Sequence, residues 1–283
     1  MKRMKAALFL GTLVFMFIFM VVGCSTQGDN SSSEKGLQGT VVVVGSTSVT
    51  PVAQDLADAF GKKELGVKIE IQGVGSSAGI KAVNEGAANI GMSSRNLKEE
   101  EKDFGLQEHT IAYDGIAIAV HPSNDIKDLT PEDIEKIYKG EITNWKEVGG
   151  QDAEIVVVSR EEGSGTRGAF EELMGLEGDE GSLVKEDVLI ADGNGAVKAS
   201  IATKENAIGY LSLTYLEDDS VKAVTIDGVG PTVENVIQGK YKISRPFLML
   251  SKGELSKEAQ AYLDFIMSEE GQEVVAQSAI PVN

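Results

Sequence analysis

Three short stretches place hydroxyl and glycine residues directly behind apolar runs, a composition suited to holding a small anion. They are Gly45-Ser46-Thr47-Ser48 after residues 41–44, Gly75-Ser76-Ser77-Ala78-Gly79 after residues 67–71, and Gly163-Ser164-Gly165-Thr166 after residues 155–158. Each also precedes a helical pattern. The first turn of a helix carries unpaired N–H groups at the positive end of its dipole, which favours negative charge. Glycine lets the backbone approach closely, and a serine or threonine hydroxyl can donate or accept. Arg160, just before the third stretch, adds a planar forked cation matched to a tetrahedral oxyanion. One such stretch is ordinary helix-capping chemistry. Three of them with an arginine point to a bound anion.

The elements that must position these loops alternate along the chain. The four valines at 41–44 read as a strand buried on both faces, as a parallel sheet requires. Thr50-Pro51 fits the start of a helix carrying Val52, Leu56 and Phe60 on one face. Further strands are expected at 67–71, 89–92, 111–120, 155–158, 208–211 and 246–250. Helices are expected around 80–83, from 131, at 167–176 and 196–202, and at 260–266 and 272–277. Strands separated by helices imply an α/β fold with parallel sheets. At this length two lobes are more natural than one core. The long apolar strand at 111–120 is the expected bridge between them. Ligand would then lie in the crevice at the carboxyl ends of the strands, where all three loops fall.

Composition removes other classes. The 283 residues carry a net charge of −18, which argues against nucleic acid, since phosphate backbones are bound by excess lysine and arginine. One cysteine, Cys24, allows neither a disulfide within the chain nor a cysteine metal site. With only His109 and His121, a histidine metal centre is not expected, and no cofactor motif is present. The P-loop ending Gly-Lys-Ser/Thr is missing from every glycine loop.

The N-terminus reads as an export signal. Lys2, Arg3 and Lys5 precede an uncharged run from Ala6 to Val22, followed by Gly23-Cys24. The competing reading is a membrane-spanning anchor, for which about 20 apolar residues are needed. The run falls short of that, and a polar tail follows at once. Val-Val-Gly-Cys resembles a bacterial lipoprotein signal, in which Cys24 becomes the lipidated first residue of the mature chain. Residues 24–39, rich in Ser, Gly and Gln, then form a flexible tether. Loss of residues 1–23 removes three cations and no acids, so the mature charge would be −21.

A serine hydrolase is the competing reading of the second loop. Gly75-Ser76-Ser77-Ala78-Gly79 matches G-x-S-x-G between a strand and a helix. A triad needs a later acid and then a later histidine. His109 follows Ser77 by only 32 residues, too few for the sheet of that fold.

Six segments together resemble one family: VVVVGSTSVTPVAQDLADAF, GVGSSAGIKAV, IGMSSRNL, IYKGEITNWKEVGG, VVSREEGSGTRGAF and NAIGYLSL. They are similar, in order and over nearly all of residues 40–283, to the substrate-binding proteins of Pst-type phosphate ABC transporters. The resemblance implies a type II periplasmic-binding-protein fold, with two α/β lobes joined by a two-strand hinge. It places one lobe at 40–115 with 245–283 and the other at 116–244. It also implies an extracytoplasmic, lipid-anchored monomer that captures inorganic phosphate for membrane permease subunits with a cytoplasmic ATPase, without chemistry on the ligand.

Carried over by position, the resemblance puts Thr47 and Ser48 on the first phosphate loop and Ser76 on the second. Arg160, Ser164, Gly165 and Thr166 fall on the third, with Glu162 as the acid that steadies the arginine. Ser94 stands where family members known for rejecting sulfate have Asp, so another proton-sensing acceptor is needed. Asp114, at the hinge crossing near the cleft mouth, is the candidate, with a plain hinge hydrogen bond as the alternative. Other tetrahedral oxyanions, sulfate and molybdate among them, stay open at this point, as does an adhesion or signalling lipoprotein with a degenerate cleft.

Overall fold

The structure is a computed structural model and describes residues 36–282. The first seven elements run outward from one core: β1 (Gly39–Gly45), α1 (Thr50–Lys63), β2 (Val67–Gly73), α2 (Ser76–Asn84), β3 (Ile90–Ser93), α3 (Glu99–Lys102) and β4 (Gln107–Val120). The middle of the chain forms β5 (Asp128–Leu129), α4 (Pro131–Lys139), β6 (Val156–Arg160), α5 (Gly165–Leu173), β7 (Glu177–Gly178), β8 (Gly181–Ser182), β9 (Leu189–Ala191), α6 (Asn194–Ala202), β10 (Ala207–Ser212), β11 (Lys222–Ala223), β12 (Thr225–Ile226) and α7 (Val233–Ile237). The chain then returns through β13 (Ser244–Ser251), α8 (Lys257–Met267), α9 (Glu269–Val275) and β14 (Ile280–Pro281).

The expected parallel sheets are two ends of one sheet, ordered β2-β1-β3-β13-β4-β10-β6-β9. Its outer pairs are parallel, β1 with β2 and β3, and β6 with β9 and β10. Its middle is antiparallel, because β13 pairs with β3 and β4, and β4 pairs with β10. The reason is topological. A chain that leaves one lobe on β4 and returns on β13 must run those two strands in opposite directions.

Two main apolar clusters flank this crossing. Val41, Val43, Leu56, Phe60, Ile111, Phe247 and Tyr262 belong to the first. Ile116, Ile118, Ile137, Tyr138, Trp145, Phe170 and Tyr210 belong to the second. Between them the strands change sides over a few residues, where the Ile116 N–H donates to the Ile243 carbonyl at 2.8 Å. The result is a two-lobed α/β fold. Of the four valines, Val41 and Val43 are fully buried while Val42 and Val44 are only partly covered, so β1 is dry on one face rather than on both as its sequence implies. Leu37, expected in the tether, packs against the first core.

The helices behind the glycine loops start earlier than periodicity indicates. α5 begins at Gly165 rather than Arg167, and α6 at Asn194 rather than Ala196. Glycine and asparagine are poor interior helix formers, so a pattern reading trims them, yet the first turn tolerates them. The loop residues are therefore themselves the exposed N–H ends.

Candidate anion-binding site

Four strand-to-helix turns converge on one buried cluster: β1 to α1, β2 to α2, β6 to α5 and β9 to α6. The capping of these helices separates the two readings of their hydroxyls. Helices α4, α7, α8 and α9 have Thr130, Thr232, Ser256 and Ser268 accepting from their own first-turn N–H groups. α1, α2 and α6 start behind Val49, Gly75 and Gly193, with no side-chain cap. The hydroxyls of Thr47, Ser48 and Ser76 beside them instead meet residues distant in the chain: Arg160, Thr166 and the Ser94 N–H. On α5, Ser164 is a cap, accepting from the Arg167 N–H at 3.2 Å.

The hydroxyls bridge the two lobes. Ser48 Oγ and Thr166 Oγ1 lie 2.8 Å apart, and Asn194 Nδ2 donates to Ser48 Oγ at 2.9 Å and to Thr47 Oγ1 at 3.1 Å. Ser46 Oγ donates to Ser94 Oγ at 2.8 Å, and the Ser94 N–H donates to Ser76 Oγ at 3.1 Å. The bonds of Thr166 and Asn194 cross between the lobes, so the cleft is closed, while those among Ser46, Ser76 and Ser94 stay within the first lobe. Ser48, Ser76, Ser94, Arg160, Ser164, Thr166 and Asn194 are all buried. Gly165 permits this approach: a Cβ there would sit 2.1 Å from Ser76 Oγ and 2.7 Å from Ser94 Oγ, inside any real contact.

Two guanidinium groups reach the cluster. Arg160 Nη2 donates to Thr47 Oγ1 at 3.2 Å, and its Nε and Nη2 fork onto Glu161 at 2.7 Å each. Glu161, not Glu162, is thus the acid beside the arginine. The strand ends at Arg160, and the turn closed by the Ser164 N–H on the Glu161 carbonyl folds Glu161 back while Glu162 faces solvent. Burial alone would raise the Glu161 carboxyl, but the hydrogen bonds and charge of Arg160 outweigh it and hold the group below its usual range. Arg167 takes no part, since it is tied to Glu171 and the Arg160 carbonyl.

Arg245, at the start of β13, is the second cation and lies outside the loops that the sequence singles out. Its Nη2 donates to Ser48 Oγ at 3.0 Å, its Nη1 to the Ser94 carbonyl at 3.3 Å, and its Nε and Nη2 to Asp114 Oδ2 at 3.2 and 3.0 Å. Asp114 does lie at the crossing, opposite Arg245 in register, but it is 1% exposed rather than at a cleft mouth. β13 and β10 cover β4 from both sides there. Burial pushes the Asp114 carboxyl above the usual range, against the pull of Arg245 and weaker ones from Ser212 and Leu213.

Among the described residues, four buried side-chain polar atoms have no hydrogen-bond partner. Two belong to this constellation: Arg160 Nη1 and Asp114 Oδ1. A buried donor left unsatisfied costs about 1–3 kcal/mol, so Arg160 Nη1, beside the hydroxyls, is the atom a ligand would complete. A small group that accepts from Arg160, from hydroxyls and from helix N-termini is an oxyanion. Neither histidine stands beside the serine of the Gly-x-Ser-x-Gly segment. The Ser77 hydroxyl accepts from Arg95 at 3.0 Å, while His109 pairs with Ser251 and His121 with Ser123.

The model of the PBP superfamily domain matches residues 30–270. The phosphate-binding protein PstS of Bacillus subtilis (strain 168) is 37% identical over 295 residues, covering 100% of this chain and 95% of that protein. The chain is a member of the PstS family. Among solved structures, a protein of Clostridium perfringens described as a phosphate ABC transporter substrate-binding protein, with bound phosphate, is 52% identical with a TM-score of 0.84. It covers 87% of this chain and 100% of that one. An ABC-type phosphate transport receptor from Vibrio cholerae is 37% identical with a TM-score of 0.72, over 86% of this chain and 100% of that one.

Within this PstS fold, the predicted residues Thr47, Ser48, Ser76, Ser94, Arg160, Ser164, Gly165 and Thr166 come together, with Asp114 behind Arg245. Asn194 had a legible signal, since Gly193-Asn194-Gly195 is a fourth glycine turn between a strand and a helix. Arg245 had none, as it stands in an otherwise apolar strand. Cys24 lies outside the described residues.

Proposed function

We propose that this chain captures inorganic phosphate outside the cytoplasm and delivers it to the permease of an ABC importer with a cytoplasmic ATPase. The observation that carries this reading is the buried, lobe-bridging set of hydroxyls around Arg160, whose Nη1 has no partner within the protein. The family and the phosphate bound by the Clostridium relative favour phosphate over other oxyanions. Phosphate binds between the lobes, accepting from Arg160, from the hydroxyls of Thr47, Ser48, Ser76, Ser94, Ser164 and Thr166, and from the Gly165 N–H. No bond of the ligand is made or broken. The lobes meet at 115–116 and 244–245, where the apolar cores divide.

Protein purified without added phosphate should carry it in native mass spectrometry. After stripping, calorimetry should show one phosphate per chain and no sulfate or molybdate competition at equal concentration. Binding of another oxyanion in its place would reassign the substrate, and no oxyanion binding at all would favour a non-transport role.

The anchor belongs to the same proposal. Cys24 carries lipid, the chain works as a monomer, and residues 24–35 tether it to the outer face of the membrane. Among the described residues no helix is long and apolar enough to cross a membrane. Cys24→Ala should release the protein from membranes; retention with the apolar run uncleaved would mean a spanning anchor.

A further inference from the structure

Arg95 follows Ser94 in the chain and has no role in the site described above. It is nonetheless 5% exposed. Its guanidinium forks onto Glu101 at 2.6 and 2.8 Å, donates to the Asn96 carbonyl at 2.8 Å, and donates to Ser77 Oγ at 3.0 Å. Glu101 is itself fixed, because it accepts from the Lys98 N–H at 2.9 Å at the start of α3. All of these partners lie in the same lobe as Arg95, so the fork persists whether the cleft is open or closed.

What Arg95 meets across the cleft is different. Its stem lies against Gly168 of α5, where a Cβ would sit 3.1 Å from Arg95 Cδ and 3.7 Å from its Nε. Gly168 is one turn beyond Gly165, the glycine that faces Ser76 and Ser94, so one side of α5 is pressed onto the opposite lobe. Ser77, already holding Arg95 through its hydroxyl, donates its N–H to the Gly163 carbonyl at 3.1 Å. Arg95, Ser77, Gly163 and Gly168 thus form a second line of contact between lobes, beside the hydroxyls. A crevice lined from both lobes, with Lys98 and Arg167 on its walls, runs along this line.

We propose that Arg95 is the latch of the closed cleft, a positioning residue that touches no ligand and sets how long phosphate stays bound. This rests on the phosphate reading above. The physical basis is differential contact. An interaction present only in the closed state shifts the equilibrium toward it by its own strength, whatever the ligand. The encounter of phosphate with the open cleft precedes those contacts, so the latch acts on release rather than capture.

The test is the release of radiolabelled phosphate, chased with unlabelled phosphate, from the wild-type chain and four variants. Arg95→Ala should release about tenfold faster while the association rate changes less than about twofold. Gly168→Leu, a good helix former placed as a wedge against the Arg95 stem, should do the same with the ligand-free melting temperature unchanged. In the double variant the leucine enters the space the arginine leaves, so release should be no faster than in either single variant. Arg95→Lys keeps the stem and loses the fork, and should fall between wild type and Arg95→Ala. Should Arg95→Ala not fold, Gly168→Leu and Arg95→Lys decide the matter alone. Wild-type release rates in the variants, additive effects in the double variant, or equal changes in association and release would each overturn the latch. Failure of the wild type to bind phosphate would instead sink the proposed function.

Discussion

Arg160 and Arg245 bring the two positive charges of the cluster, and they are held in opposite ways. Arg160 leans on the next residue in the chain, Glu161, whose side chain is 21% exposed, and keeps Nη1 free of any protein partner. Arg245 is bound to Asp114, 131 residues away, with both side chains 1% exposed, and every nitrogen of its head is engaged. The first arrangement leaves a donor for a ligand. The second joins β4 to β13 where the chain passes between lobes, and holds Ser48 and Ser94 in place. The same residue type therefore serves as a hand in one region and as a strut in the other.

The largest effect should come from the strut. Removing one partner of a fully buried ion pair leaves an uncompensated charge and costs about 3–5 kcal/mol. Arg245→Ala should accordingly lower folding stability by that order in denaturant titration of the phosphate-free protein. A loss confined to phosphate affinity, with stability intact, would make Arg245 a second hand and erase the contrast.

Next in size is the hand itself. Arg160→Ala should weaken phosphate binding by about 1.5–3 kcal/mol, or one to two decades, because a charged hydrogen bond is lost in a closed cleft. Arg167→Ala, seven residues on and paired with Glu171, should change it little. Calorimetry showing equal effects from the two would remove Arg160 from the ligand.

A smaller effect separates the two oxygens of Asp114. Oδ2 serves Arg245, whereas Oδ1 has no partner at hydrogen-bonding geometry. Phosphate at neutral pH keeps a proton to donate and sulfate does not, so a carboxylate acceptor admits one and repels the other. Wild type should ignore sulfate, and Asp114→Asn should bind it measurably in competition with phosphate. If Asp114→Asn stays blind to sulfate while still binding phosphate, Asp114 is only the counter-charge of the strut.

The smallest effect concerns pH. Burial raises the Glu161 carboxyl, and the hydrogen bonds and charge of Arg160 more than reverse this, so the folded group titrates below the ordinary value. Its contribution to stability is present above the unfolded carboxylate range and disappears as pH falls through the lower folded value. Melting of the ligand-free protein should therefore drop faster toward acid in wild type than in Glu161→Gln. Parallel curves would show that Glu161 shapes the arginine without stabilising the fold.

The contrast between the two arginines also sets what could be read in advance. Thr47, Ser48, Ser76, Arg160, Ser164, Gly165 and Thr166 were legible because each lies within a few residues of a strand end, where backbone and side chain are governed by the same short stretch. The strand-and-helix alternation was legible for the same reason, since hydrophobic period is local. Whether a hydroxyl caps its own helix or faces the cleft is not local. Ser164 and Ser76 look alike in sequence, yet one caps and the other does not.

The sequence by itself determined the lobed α/β pattern, the anion-binding character of the loops and the placing of Arg160 at a strand end, because each depends on residues adjacent in the chain. The tertiary structure decided that Glu161 rather than Glu162 meets Arg160, that Arg245 reaches the cluster, and that Asp114 is buried behind it. It also decided that Arg95 presses on Gly168. Those outcomes depend on how β13 returns beside β4 and how α5 closes on the opposite lobe, contacts between residues far apart in the chain that no short stretch encodes.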